Sequence, residues 1–110
     1  MKASLPKEFY RGSRKSGFTG GWQGKYFYPK GKGINIFRRD GKEVRVYPFK
    51  YYLMEDGKTI AVDYDVPSNP WWLRLVLDEL TPRGKGKYLG RLNIRIFGLK
   101  IGLAKFYLKK

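Results

Sequence analysis

Residues Tyr88 to Phe97 read Y-L-G-R-L-N-I-R-I-F. Leu92, Ile94 and Ile96 alternate with Arg91, Asn93 and Arg95, the period-two pattern of a strand with one apolar and one polar face. Strands of this kind must bring their apolar faces onto a shared core. The same alternation recurs along the chain, separated by turn signals. Trp22 to Tyr28 reads as a first strand, stopped by Pro29 and the turn Lys30-Gly31-Lys32-Gly33. Ile34 to Arg39 and Glu43 to Phe49 flank Asp40-Gly41, a two-residue hairpin signal because both positions tolerate positive φ. Pro48 points to an edge, a bend or a bulge in the third strand. Tyr51 to Met54 is a separate strand or a continuation past that bend. Thr59 to Tyr64 follows the turn Glu55-Asp56-Gly57-Lys58, and Lys100 to Leu108 closes the chain after Gly98.

One stretch departs from this pattern. Ile60 to Leu80 reads I-A-V-D-Y-D-V-P-S-N-P-W-W-L-R-L-V-L-D-E-L. It holds two of the three tryptophans and four of the nine carboxylates. Ile60, Val62 and Tyr64 alternate as a strand until Pro67, which cannot donate to a ladder. Ser68 or Asn69 then suits a helix cap and Pro70 a first helical position. Leu73, Val76, Leu77 and Leu80 fall at i, i+3, i+4 and i+7, which predicts a helix near residues 70–80. An Arg74–Asp78 pair on its surface would add only about 0.3–0.5 kcal/mol.

The expected fold is therefore mainly β: a small antiparallel meander of about seven strands with one inserted helix. A single helix cannot cover seven strands, so the sheet is expected to curl into a barrel or half-barrel. The 110 residues read as one domain over 21–110. Residues 1–20, rich in Gly, Ser, Lys and Arg, read as a basic, flexible arm.

Charge and composition narrow the chemistry. Lys and Arg number 24 against 9 Asp and Glu, a net charge of +15. Such a chain associates with polyanions at low salt. The functional reading is a nucleic-acid or anionic membrane surface, and the bland one is a basic soluble protein rich in Lys and Arg. There is no cysteine and no histidine, which excludes disulfides, thiolate metal sites, histidine-ligated haem and histidine triads. No apolar run is long enough to form a transmembrane helix. The first residues lack the apolar core of a signal peptide, so a cytoplasmic location is expected. No phosphate-loop, dinucleotide-binding or nucleophile-elbow motif occurs.

Gly20-x-Trp22 resembles the G-x-W opening of lipocalin-like (calycin) barrels, and Val62-Asp63-Tyr64-Asp65 is similar to their T-D-Y motif. A longer set resembles a family of small bacterial and archaeal proteins without an assigned activity. It runs through Gly24-Lys25-x-Phe27, Gly33-x-Asn35-x-Phe37, Asp63 to Pro67, Asn69-Pro70, Asp78-Glu79-Leu80 and Tyr88-Leu89-Gly90. The resemblance covers roughly residues 20–108. It implies a lipocalin-like barrel with an inserted helix, and a site near Asp63, Asp65, Asn69, Arg74, Asp78 and Glu79. The chain departs from a true lipocalin in its length and in lacking the histidine of haem-binding relatives.

Three sets of residues are candidates for function. Trp22, Tyr64, Asn69, Trp71, Trp72 and Arg74 would bind a small hydrophobic or anionic amphipathic ligand, such as a fatty acid, inside the barrel. Trp71 and Trp72 would cap the mouth; as a structural pair they would instead staple the helix start to the sheet, which is the favoured reading for Trp72 and one of two open readings for Trp71. Arg38, Arg39, Arg45, Arg91 and Arg95 would track phosphates, with aromatic neighbours such as Phe37 and Tyr47 stacking bases. The bland reading of those faces is an ordinary amphipathic sheet with solvated arginines. Asp63, Asp65, Asp78 and Glu79 would form a carboxylate site for acid–base work or magnesium if the helix folds back over the strand. Asp63 and Asp65 lie about 7 Å apart along one strand face, and the bland reading pairs them with surface Lys and Arg. The leading reading is a ligand-binding barrel with no cofactor and no resident metal. The alternatives are nucleic-acid binding and a small carboxylate enzyme.

Overall fold

The computed structural model describes residues 5–13 and 21–110. Eight antiparallel strands follow one another as a meander and close into a barrel in sequence order. They are β1 (Glu8–Ser13), β2 (Trp22–Tyr28), β3 (Lys32–Arg39), β4 (Lys42–Leu53), β5 (Ile60–Asp63), β6 (Val76–Pro82), β7 (Lys87–Ile96) and β8 (Leu99–Lys109). Closure comes from β1 pairing with β8 through Arg11↔Lys109, Gly12↔Leu108 and Ser13↔Tyr107. A closed barrel leaves no long unpaired edge.

Two expectations are corrected. Glu8–Ser13 is not part of a flexible arm. It is the strand that closes the barrel, with Tyr10 buried between Phe27 and Tyr88. The remainder of the expected arm (residues 1–4 and 14–20) lies outside the described residues. There is also no helix near 70–80. Pro70 starts only a 3-10 turn at Leu73–Leu75, with the amides of Leu73 and Arg74 bonded to the Pro70 carbonyl. The chain then extends as β6, pairing with β5 from Ile60↔Leu80 to Asp63↔Leu77 and with β7 over seven residues. The helical spacing of Leu73, Val76, Leu77 and Leu80 arises because both faces of β6 are buried. Asp78 and Leu80 face inward, while Leu77 is covered on the outside. A strand with an inward acid and an outward leucine loses its period of two. Closure then decides, because β5 needs a neighbour on its far edge. The expected Arg74–Asp78 pair does not form, and Arg74 meets Asp65 instead at 2.8 Å.

Three bulges shape the barrel. Pro48 marks one, as its position suggests: the β3–β4 register slips at Ile34/Asn35 opposite Tyr47, which has φ 62. A second, between Trp22 and Gly24, lets Trp22 follow Lys25 and Phe27 into the interior. A third, opposite Leu92/Asn93, switches β8. Below it Ala104, Phe106 and Leu108 face inward, and above it Ile101 and Leu99 pair with Ile94 and Ile96.

The two ends of the barrel differ. Toward the β2–β3, β4–β5 and β6–β7 turns, Tyr10, Phe27, Tyr51, Ile60, Leu80, Tyr88 and Leu108 fill the interior. Two glycines make room for rings in this packing. A Cβ on Gly33 would sit 2.3 Å from the Phe49 ring, and one on Gly90 would sit 2.2 Å from the Phe106 ring. Gly90→Ala therefore forces Phe106 out of its position and is expected to cost about 1–3 kcal/mol, measured by thermal unfolding. An unchanged midpoint would show that the ring can move freely. Toward the other end the interior is open, and the β7–β8 hairpin rises beside the opening.

Candidate ligand-binding site

Midway along the barrel axis, β2, β3 and β6 direct three polar side chains inward. Lys25 and Asp78 are 3% and 2% exposed, and their Nζ and Oδ2 lie 3.3 Å apart. Tyr64, just past β5, brings its hydroxyl to the same place, and Asn35 completes the group. Lys25 Nζ donates to Asn35 Oδ1 at 2.9 Å and to the Tyr64 hydroxyl. Trp22 Nε1 donates to the same Asn35 oxygen at 3.1 Å. Asn35 Nδ2 donates to the Tyr64 hydroxyl at 2.8 Å and to the Tyr47 carbonyl, left free by the bulge, at 3.0 Å. Four aromatic rings surround the ammonium at 5.1–5.6 Å: Trp22, Phe49, Tyr64 and Phe106. Cation–π attraction is strongest in such a desolvated setting.

Burial drives the electrostatics. It lowers the pKa of Lys25 below its ordinary value, against the pull of Asp78. It raises that of Asp78, against Lys25 and the Tyr64 hydroxyl. Tyr64 is pushed well above its usual range by burial and by the negative charge of Asp78, so it stays a protonated phenol. Each shift disfavours charge in a low-dielectric interior, and the contact between Lys25 and Asp78 opposes the shifts of both groups.

Above this cluster lies a cavity of about 310 Å³, at the small end of the range for small-molecule pockets. Lys25, Asn35, Tyr64 and Asp78 form its floor. Its walls are apolar or aromatic: Trp22, Phe37, Tyr47, Val76, Leu92, Ala104 and Phe106. Trp72 and Leu73, from the β5–β6 connection, stand at its rim. The rim is unusually apolar for exposed surface. Trp71 is 75% exposed, Trp72 50% and Phe97, at the hairpin tip, 98%, with Leu99 and Ile101 below it.

The outer surface fixes the rim. Arg95 grips Asp63 with both terminal nitrogens, at 2.7 and 3.3 Å, and Nη2 reaches the carbonyls of Arg74 and Val76. This fork ties the connection carrying Trp72 to β5 and β7. Asn69 adds a second tie, with Nδ2 donating to the carbonyls of Pro48 and Tyr64 at 2.7 and 2.9 Å. Burial pushes Asp63 up, but the Arg95 hydrogen bond, the Asp65 amide and the charges of Arg95 and Lys50 outweigh it, so its pKa falls below 3.8. The sign follows: the stabilisation is complete above 3.8 and is lost as pH falls through the lower folded value. Asp63→Asn should therefore destabilise the barrel at neutral pH and do so less at pH 2. A penalty equal at both values would show that charge is not the cause.

The sequence-derived candidates separate accordingly. Trp22, Tyr64 and Trp72 line the cavity, whereas Trp71, Asn69 and Arg74 do not. The four carboxylates do not converge. Asp78 is inside the barrel, Asp63 is held by Arg95, Asp65 by Arg74, and Glu79 by Lys100 at 2.8 Å. Among the described residues no group of three or more acids could hold a metal ion. The five arginines do not share one face. Arg38 and Arg45 lie on the outer surface of β3–β4, Arg45 over Tyr26 at 5.2 Å, whereas Arg39, next to Arg38 in the strand, points to the opposite face and sits over Phe37 at 4.7 Å. Arg91 and Arg95 lie on β7, three strands away, and Arg95 is engaged by Asp63. Lys25 was not marked by sequence reasoning as a site residue. Its signal was its phase, since it shares a strand face with Phe27, but aromatics at Tyr26 and Tyr28 on the opposite face hid that phase.

No protein-family model matches the sequence, and no curated protein matches it either.

Proposed function

We propose that the protein binds a small, mostly apolar ligand inside the barrel, with the polar floor at Lys25, Asn35, Tyr64 and Asp78 fixing its buried end. The observation that carries this reading is the asymmetric interior. One end is filled by side chains, while the other keeps an apolar cavity that ends on four converging polar groups. Such a site has the anatomy of a small-molecule pocket, with apolar walls for affinity and a few placed polar groups for orientation. The apolar rim supports entry from the same end. Trp71, Trp72, Phe97, Leu99 and Ile101 are exposed apolar side chains on the β5–β6 connection and the β7–β8 hairpin, and Trp72 reaches the cavity itself.

Trp72 is the side chain to test, because it stands at the rim without a hydrogen bond to the floor. Trp72→Ala should leave the thermal midpoint nearly unchanged, since the ring is half exposed, and weaken binding of a medium-chain probe such as 1-octanol by about tenfold. Isothermal titration of both proteins reads the ratio. Equal affinity would mean that the probe sits elsewhere, and no binding by the native protein would remove the proposal. Native mass spectrometry of the purified protein complements this: a small mass released on denaturation would be the resident ligand.

A further inference from the structure

The positive charge of the chain is unevenly placed. Residues 83–110 hold nine Lys and Arg and no Asp or Glu. On β8, Ala104, Phe106 and Leu108 face inward, so Lys105, Tyr107 and Lys109 face out. The register sets further cations directly against them. Lys109 lies between Arg11 of β1 and Lys87 of β7, and Lys105 lies opposite Arg91. All five cations are exposed. Tyr107, 40% exposed, sits between the two rows, with Ser13 and Leu89 as its cross-strand neighbours. The rows are four residues apart along the strands, about 13 Å. Like charges directly opposite on a sheet face destabilise it, and no acid offsets them here. All nine carboxylates of the chain lie among the described residues. Six are in ion pairs with Lys25, Arg45, Arg74, Arg95, Lys100 and Lys110. The other three, Asp40, Glu55 and Asp56, stand in the β3–β4 and β4–β5 turns. Glu79 is opposite Arg91 across the β6–β7 ladder, but Lys100 holds it at 2.8 Å. The fold gains nothing from gathering these cations, so their complement is outside the molecule.

We propose that this outer face of β1, β8 and β7 binds single-stranded nucleic acid, with phosphates on the two rows of cations and a base stacked on the Tyr107 ring. A positive surface that tracks the backbone, with an aromatic ring set among the charges, is how proteins hold single strands without reading sequence. A duplex keeps its bases paired and offers the ring nothing to stack on. An anionic bilayer calls for large apolar side chains to insert among the cations. The three most exposed of those, Phe97, Trp71 and Leu99, stand at the open end of the barrel instead. Of the arginines expected from the sequence to track phosphates, only Arg91 belongs to this face. The face lies across the barrel wall from the cavity, so the proposal does not depend on the ligand reading.

The test must separate this face from the overall charge of +15. Fluorescence anisotropy with a labelled oligo-dT of about 12 nucleotides reads affinity against salt. Five phosphate contacts give a slope of log K on log salt of about −3.5. Lys105→Gln with Lys109→Gln should weaken binding about twentyfold at about 0.1 M salt and make the slope shallower by about 1.4. Lys32→Gln with Lys58→Gln, on β3 and the β4–β5 turn, removes the same charge and should change affinity less than about twofold. Tyr107→Ala should lose about tenfold with the slope unchanged, and Tyr107→Phe, which keeps the ring, should bind like the native protein. Thermal unfolding checks each variant, and if Tyr107→Ala does not fold the two lysine pairs still decide. Equal losses in the two lysine pairs would overturn the proposal, because net charge alone would then explain binding. So would full affinity in a folded Tyr107→Ala, or a duplex binding more tightly than the single strand. Vesicles of phosphatidylcholine and phosphatidylserine that bind in place of the oligonucleotide, and lose binding in the Lys105/Lys109 variant, would assign the face to a membrane and overturn it too.

Discussion

Lys25→Met is expected to lower the stability of the barrel by about 3–5 kcal/mol at neutral pH. Methionine fills much of the same volume, so little of the loss comes from packing. The loss comes from Asp78, which keeps its position inside the barrel without the ammonium beside it. The variant should also respond to pH in a defined direction. Burial already raises the Asp78 pKa in the native protein, and removing Lys25 raises it further. A carboxyl whose folded pKa lies above its unfolded value contributes most stability below the unfolded value. It loses that contribution as pH rises through the folded one. The difference between Lys25→Met and the native protein should therefore narrow as pH is lowered toward 4. Adding Asp78→Leu to Lys25→Met should regain more than half of the loss, because replacing a whole buried pair by apolar groups is far less costly than breaking it. Full recovery is not expected, since Asn35 Oδ1 and the Tyr64 hydroxyl lose the hydrogen bonds that Lys25 donates to them. Denaturant titration of the native protein, both single variants and the double variant gives the coupling energy. A coupling near zero would mean that the two groups do not form a buried pair.

Phe49→Ala should cost a similar amount, about 3–5 kcal/mol. Phe49 is 2% exposed, and its ring lies 5.5 Å from that of Phe27 and 5.7 Å from that of Tyr64. It joins the packed end of the barrel to the floor of the cavity and is one of the four rings around Lys25 Nζ. Truncation opens a void beside the ammonium. It should also change ligand size preference, with longer probes gaining relative to shorter ones, because the cavity then extends past the polar floor. A loss of less than about 1 kcal/mol would show that the barrel collapses to fill the space.

How much of this was legible depended on which force dominated each segment. The hairpin at Asp40-Gly41 follows from local chemistry: both residues adopt positive φ, 52 and 74, as the turn requires. β7 was legible because its apolar face meets the interior and its polar face the outer network. The mainly β barrel followed from the same alternation. The β6 helix was a misreading in which local spacing gave way to closure. A 3-10 turn after Pro70 is all that remains of the helical start signal, and the ladder with β5 and β7 takes the rest. β1 was hidden because Glu8–Ser13 offers only Tyr10 to the core, too few apolar residues to mark a strand. The cavity floor was hidden for a different reason. A lysine between aromatics on a strand reads as surface until the neighbouring strands supply Asp78, Asn35 and Tyr64, and their separation of 10–53 residues from Lys25 leaves no local pattern. Asp78 and Tyr64 were visible as candidates, but their expected partners were the other acids of the same stretch. The barrel sends those acids to its outer surface and gives Asp78 a lysine instead.

A ligand inside the open end of the barrel is tested most directly by following the backbone and side-chain N–H signals of the native protein by NMR during titration with 1-octanol. Saturable shifts should concentrate on the Trp22 indole, the Asn35 side-chain amide and the backbone of Trp72, Leu92 and Ala104, while Ile60, Leu80 and Leu108 at the packed end stay in place. Shifts that never saturate, or that cluster on the outer faces of β3 and β4, would contradict a binding site within the barrel.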